Sequence, residues 1–244
     1  MFEQVEQKAT AIKAAKRSVL QPNPRYRTAI GVLGLLLPVV VALWPWPLEA
    51  LQPTISAYYY TGARNWFVGT LWVLALFLFF YQYEPRGSGS PRSKSRTIAT
   101  GAADTLLGMV AGVAAFGVAM FPTVPPCPNG LPAPCSTVSP VVQPATIGMI
   151  HGVFASTLFF ALALFPLKLF SQTTDESRAR MYRLCGFVML VLLGTIAVYV
   201  WAVPRDLRES LARLRPVFFV EAALVLVFAY TWLKKGQELA EKRP

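Results

Sequence analysis

The chain has one histidine and three cysteines in 244 residues. A catalytic zinc needs at least three nitrogen, sulfur or oxygen ligands meeting at one point, so this scarcity argues against a metal hydrolase. A haem held by two histidines is excluded by number alone. Phosphate-cradling glycine spacing is missing as well: "RGSGSPRSK" has neither the spacing nor the strand–helix setting of a nucleotide loop. Charge is sparse, with 14% of residues Asp, Glu, Lys or Arg and 12 of them acidic. The alternation of apolar and polar residues over about ten positions that marks barrel strands is absent. These gaps imply no cofactor and no metal.

What the chain has in quantity is apolar sequence, 55% of residues with a mean hydropathy of +0.46. It comes in blocks long enough to cross a hydrocarbon layer of about 30 Å. Six are distinguished: Thr28–Leu43, Trp66–Tyr83, Ile98–Phe121, Thr146–Phe170, Arg183–Val203 and Pro216–Leu233. In lipid the backbone must satisfy itself, which leaves helices once barrel strands are set aside. The expected fold is therefore all-α, a polytopic bundle of six transmembrane helices. The first block lacks a small-residue cleavage pattern and reads as a retained helix. Pro38 inside it predicts a kink.

The net charge of +11 is not a nucleic-acid footprint, because the basic residues follow the topology. Lys8, Lys13, Lys16, Arg17, Arg25 and Arg27 precede the first block, and Arg86, Arg92, Lys94 and Arg96 lie between the second and third. Lys168, Arg178, Arg180 and Arg183 surround the loop between the fourth and fifth. Lys234, Lys235, Lys242 and Arg243 follow the sixth. On the other side fall Arg64, Arg205, Arg208, Arg213 and Arg215. The positive-inside rule then places both termini in the cytoplasm, with anionic lipid headgroups as natural neighbours. Three regions result: an amphipathic N-terminal segment over 1–27, the six-helix domain over 28–233 and a basic tail over 234–244.

Cys127 and Cys135 lie in "PTVPPCPNGLPAPCSTVSP", a loop without lysine or arginine that falls on the outer side. In an oxidising compartment the two can close a short disulfide ring, and two free thiols is the plain alternative. "PRDLRESLARLRP" spaces Leu207, Leu211 and Leu214 as a short surface helix.

Polar groups inside apolar blocks require a reason, since burying charge in lipid is costly. Asp104 lies on a face of the third block made of Gly101, Gly108, Ala111, Gly112, Ala115 and Ala119, which lets another helix approach closely. It reads as a structural carboxylate paired with a cytoplasmic arginine such as Arg183, or capping a neighbouring helix. His151 and Glu221 each lie about five residues into their blocks from the outer side. Ser56, Arg64 and Asn65, in "PTISAYYYTGARNWFVGTL", come to the same level. A buried Glu221 needs a partner, and Arg64 or His151 is the expected one. These five residues, Ser56, Arg64, Asn65, His151 and Glu221, form the candidate polar pocket. The plain reading is an ion-pair network that fixes helix packing; the functional one is an outer-leaflet site for a polar headgroup or a proton. Tyr58–Tyr60, Trp44, Trp46 and Trp66 read as an interfacial belt.

"ISAYYYTGARNWFVGTLWVLALFLFFY", the third block ending in "AMFPT", the histidine opening the fourth block, "SRARMYRLCGFVMLVLL" and "FFVEAALVLVFAYTWLKKG" together resemble an uncharacterised bacterial family of six-helix membrane proteins. This family is a domain of unknown function related to the DRAM and FRAG families. The resemblance covers most of Pro53 to Gly236. It implies the six-helix fold, the bacterial inner membrane, and importance for Ser56, Arg64, His151 and Glu221, but brings no activity. Members of that family usually carry an aspartate where this chain has Asn65. A more distant similarity of layout links the chain to membrane hydrolases of the alkaline ceramidase type, whose histidine cluster is missing here.

Three functions follow as expectations. The first is a non-enzymatic protein that binds a lipid or small amphiphile from the membrane, to sense or move it. The second is a proton-coupled transporter in which His151 and Glu221 titrate. The third is a membrane-embedded hydrolase or transferase using Ser56 or Asp104. In that reading Ser56, His151 and Glu221 stand as nucleophile, base and orienter, although no nucleophile elbow surrounds Ser56.

Overall fold

The computed structural model describes residues 24–81, 91–124 and 144–241, with side chains of the third and fourth helices from 104 and 146 onward. The N-terminal segment over 1–23 and the expected Cys127–Cys135 pair lie outside the described residues. Among the described residues the secondary structure is entirely helical: α1 Pro24–Leu43, α2 Arg64–Phe79, α3 Pro91–Met120, α4 Pro144–Leu164, α5 Glu176–Trp201, α6 Arg205–Leu211 and α7 Pro216–Glu241. A 3₁₀ turn, Ser56–Tyr60, lies between α1 and α2. A π-helical turn, Phe165–Phe170, extends α4.

Proline writes the start of α7: Pro216 opens the helix, where its missing N–H is one of the donors a first turn leaves unpaired. α5 instead starts from a side-chain cap: the Asp175 carboxylate accepts from the Ser177 N–H at 2.9 Å and the Arg178 N–H at 3.2 Å. α1 runs through Pro38 as one helix.

Among the described residues four helices are long and apolar enough to cross a membrane: Pro24–Leu43, Thr146–Phe170, Glu176–Trp201 and Pro216–Glu241. Arg64–Phe79 and Asp104–Met120 are shorter apolar helices. Large apolar side chains such as Leu36, Phe80, Phe187 and Val198 face outward, the pattern of a multi-pass membrane protein whose solvent is hydrocarbon rather than water.

The helices form a closed ring in which α1 packs on α2, α2 on α3, α3 on α4, α4 on α5, α5 on α7 and α7 back on α1. Small residues set two of these contacts. A methyl group built on Gly31 of α1 would lie 2.7 Å from the Leu233 side chain and 2.9 Å from its backbone nitrogen in α7. One built on Gly112 of α3 would lie 2.7 Å from the Ala75 carbonyl of α2. The small face of α3 therefore serves α2, at backbone contact distance.

α7 extends well past Leu233, to Glu241, so the segment read as a basic tail is largely helix with Lys235, Gly236 and Glu238 buried against the bundle. At this end Trp232 is packed among Phe165, Phe170, Tyr81 and Phe228 with ring centroids 5.2 to 5.7 Å apart. Glu238 accepts from Lys235 at 2.9 Å, Thr173 at 2.8 Å and Tyr182 at 3.3 Å. The buried Arg27 guanidinium donates to the Tyr81 hydroxyl at 3.3 Å and lies over the Phe170 ring.

Candidate functional site

At the opposite end of the ring, the loop between α1 and α2 folds inward over the helix ends. Its course follows from unpaired backbone groups. The first turn of α7 leaves its N–H donors without helical acceptors, and the Pro53 carbonyl takes the one from Phe218 at 3.0 Å. Two residues on, the Ile55 N–H donates to the Glu221 carboxylate at 2.6 Å. These two bonds dock the loop on α7. The Thr54 hydroxyl then accepts the Ala57 N–H at 3.0 Å, starting the Ser56–Tyr60 turn.

That docking delivers Ser56 to His151. The serine Oγ lies 3.0 Å from His151 Nε2, and His151 Nδ1 lies 2.7 Å from the Phe121 carbonyl oxygen. Phe121 follows the last residue of α3, where helix carbonyls lack a helical donor. A carbonyl can only accept, so in the neutral ring Nδ1 carries the proton and Nε2 accepts from the Ser56 hydroxyl. Ser56 is 9% exposed and His151 6%. A hydroxyl, an imidazole and a helix-end carbonyl thus form a chain reaching from the α1–α2 loop through α4 to the end of α3.

The tyrosines of the turn divide the remaining work. Tyr58 is fully buried in the core and tilts against Phe218, with ring centroids 6.1 Å apart. Tyr60 donates to the Thr123 carbonyl at 2.8 Å, a second tie between this turn and the segment after α3. Burial pushes both phenols above their usual range, which keeps them protonated. Tyr59 turns outward, where its hydroxyl accepts from Arg64 at 2.9 Å and its ring stacks under the guanidinium at 4.5 Å.

The five residues singled out from the sequence therefore separate into groups. Ser56 and His151 are hydrogen-bonded. Glu221 is one step away, held through Ile55. Arg64, expected beside Glu221, is exposed and bonded to Tyr59; Asn65 is exposed beside it. The partner of Glu221 is the backbone N–H of Ile55 rather than Arg64 or His151. Asp104 is buried at 6% exposure, and its Oδ2 has no hydrogen-bond partner among the described residues. Arg183, its expected partner, is exposed on α5.

Ser56 and Glu221 also share the wall of a slot inside the ring, about 50 Å³ in volume. They are the two polar side chains in an otherwise apolar lining from α1, α2, α3, α4 and α7, including Leu37, Leu71, Val118, Leu158, Leu162 and Val225. Ser56 and Glu221 are neighbours in that wall, since Glu221 accepts from the Ile55 N–H next to Ser56.

Phe121, Ile55 and Thr123 act through backbone atoms, which no residue letter announces. Tyr60 was hidden among aromatics with a good reason to lie at a membrane interface. Lys235 and Glu238 had a readable signal: Phe228, Thr231, Lys235 and Glu238 continue the helical spacing past Leu233. Among the described residues no group of three or more His, Cys, Asp or Glu is placed to hold a metal ion. Cys185 is half-buried on α5 with its sulfur 3.9 Å from that of Met181. Comparison with protein-family models, curated proteins and solved structures finds no match to this chain.

Proposed function

We propose that this protein is a multi-pass membrane protein that binds a lipid or small amphiphile, with the apolar part in the slot and the polar end at Ser56 and Glu221. The observation that carries this reading is the slot's composition: two neighbouring polar side chains in an otherwise apolar lining. Ligand sites in helical bundles have this character, an apolar body with a few convergent polar groups. At about 50 Å³ the slot has room for a few water-sized groups. The occupant of the slot is therefore a short stretch of one chain next to the ligand's polar end rather than a whole lipid, with the rest of the ligand remaining in the surrounding bilayer.

The basic residues support an orientation with both termini in the cytoplasm of a bacterial cell, six helices crossing the inner membrane, and the Ser56 end outermost. A reporter fused after Pro244 is expected to give a cytoplasmic signal.

The binding reading is tested by native mass spectrometry of the protein released from membranes. Wild type is expected to retain a lipid or amphiphile, and Leu158→Trp, which fills the slot, to lose it. Arg64→Ala, altered outside the slot, is expected to retain it. Equal retention by Leu158→Trp and wild type removes the proposal.

A further inference from the structure

Several serine and threonine hydroxyls among the described residues are satisfied locally. Ser171 donates to the Leu167 carbonyl at 2.8 Å, Thr28 to Pro24 at 3.0 Å and Thr195 to Val191 at 2.9 Å. Ser56 opens its 3₁₀ turn, so no helical carbonyl lies one turn before it. Ser56 instead meets the single histidine of the chain, 95 residues away in sequence, at 3.0 Å. That histidine is held at its other nitrogen by the Phe121 carbonyl at 2.7 Å.

We infer that Ser56 is a nucleophile for acyl transfer, with His151 as its base, the Phe121 carbonyl as the group that orients the base, and a lipid-like acyl ester as substrate. Three geometric requirements coincide. The nucleophile lies within hydrogen-bond reach of the base. The base is fixed in the tautomer whose Nε2 is free to accept a proton. The serine also lines the apolar slot, so a carbonyl at the head of a chain lying in that slot meets its Oγ. The placement of the chain rests on the binding reading above.

The chemistry balances without a cofactor. Ser56 Oγ bonds to the ester carbonyl carbon while its proton passes to His151 Nε2. The carbon–oxygen bond to the alcohol then breaks, and the departing alkoxide takes the proton from Nε2. The acyl group remains on Ser56 until a water or a second alcohol attacks it, again giving its proton to Nε2, and the serine leaves with that proton. A carbonyl orients the ring but supplies no full negative charge to stabilise the imidazolium, as a carboxylate would. Turnover is therefore slower than in an enzyme with an acidic third member.

The test uses the full-length protein in detergent and two fluorophosphonate probes, one with a long and one with a short alkyl chain, read by intact mass and peptide mapping. The expected result is one phosphonyl adduct per chain on Ser56, absent in Ser56→Ala. In His151→Asn the adduct forms about a hundredfold or more slowly, the scale of a lost general base. Asparagine keeps a donor near the Nδ1 position for Phe121, so this variant removes the base while leaving that tie. No adduct on wild type, an adduct that survives Ser56→Ala, or an unchanged rate in His151→Asn overturns the inference. The long-chain probe is expected to react faster; equal rates for the two probes, with the adduct still on Ser56, remove the slot reading and leave the nucleophile. Retained lipid with no adduct does the reverse.

Discussion

His151 joins a serine hydroxyl on one side and a helix-end carbonyl on the other. His151→Ala leaves both unpaired in an apolar surround, and each orphaned polar group costs about 1–3 kcal/mol. The variant is expected to unfold at clearly lower temperature in detergent, with His151→Asn between it and wild type. Glu221 can be examined in the same way, since its carboxylate accepts the Ile55 N–H. Glu221→Gln keeps an acceptor oxygen and is expected to stay near wild type. Glu221→Leu removes one of the two bonds that dock the loop and leaves the Ile55 N–H unpaired, at a cost of about 1–3 kcal/mol. At this scale the sequence is most legible where letters are rare. One histidine and one glutamate inside apolar blocks stand out, whereas the Phe121 carbonyl and the Ile55 N–H are present in every residue and marked in none. Arg64 was misread for a related reason: its charge predicts a carboxylate partner, but the adjacent Tyr59 offers an accepting oxygen and a ring face at the surface.

Helix contacts in this bundle are set by the absence of side chains as much as by their presence. Between lipid-exposed helices the hydrophobic effect does little, so close backbone approach and dispersion dominate. Gly112→Leu forces a side chain into the Ala75 carbonyl, and Gly31→Leu forces one into Leu233. Each is expected to lower stability by about 1–3 kcal/mol, as overpacking typically does, measured by thermal unfolding in detergent. Gly194 in α5 has nothing within 4 Å of a methyl group. Gly194→Ala is thus expected to be neutral or to stabilise by up to about 1 kcal/mol through helix propensity. The small face of α3 was readable from spacing alone. The end of α7 carries the same kind of spacing, but Lys234 and Lys235 resemble the basic residues that terminate a span and so conceal it.

Across the whole molecule the closed ring separates two polar regions, one at each end of α7. Ser56, His151 and Glu221 occupy one; Arg27, Lys235, Glu238 and Tyr182 occupy the other. The second region binds α1, α5 and α7 together. In Glu238→Leu the donors Lys235, Thr173 and Tyr182 lose a shared acceptor. Removing one member of a buried pair costs about 3–5 kcal/mol. The variant is expected to unfold early in a thermal scan, and the double variant Lys235→Met with Glu238→Leu to recover part of the loss, because it no longer leaves the Lys235 ammonium facing a missing carboxylate.

The sequence by itself determined the class of protein. Apolar blocks of this length in a chain with so little charge have one stable arrangement in lipid, helices that satisfy their own backbone. It also marked Ser56, His151 and Glu221, because a polar letter in such a block is costly enough to need a purpose. Only the tertiary structure decided which of them meet. Those pairings run through loop carbonyls and N–H groups left over where helices end, and their positions depend on how the ring closes rather than on any local pattern of residues.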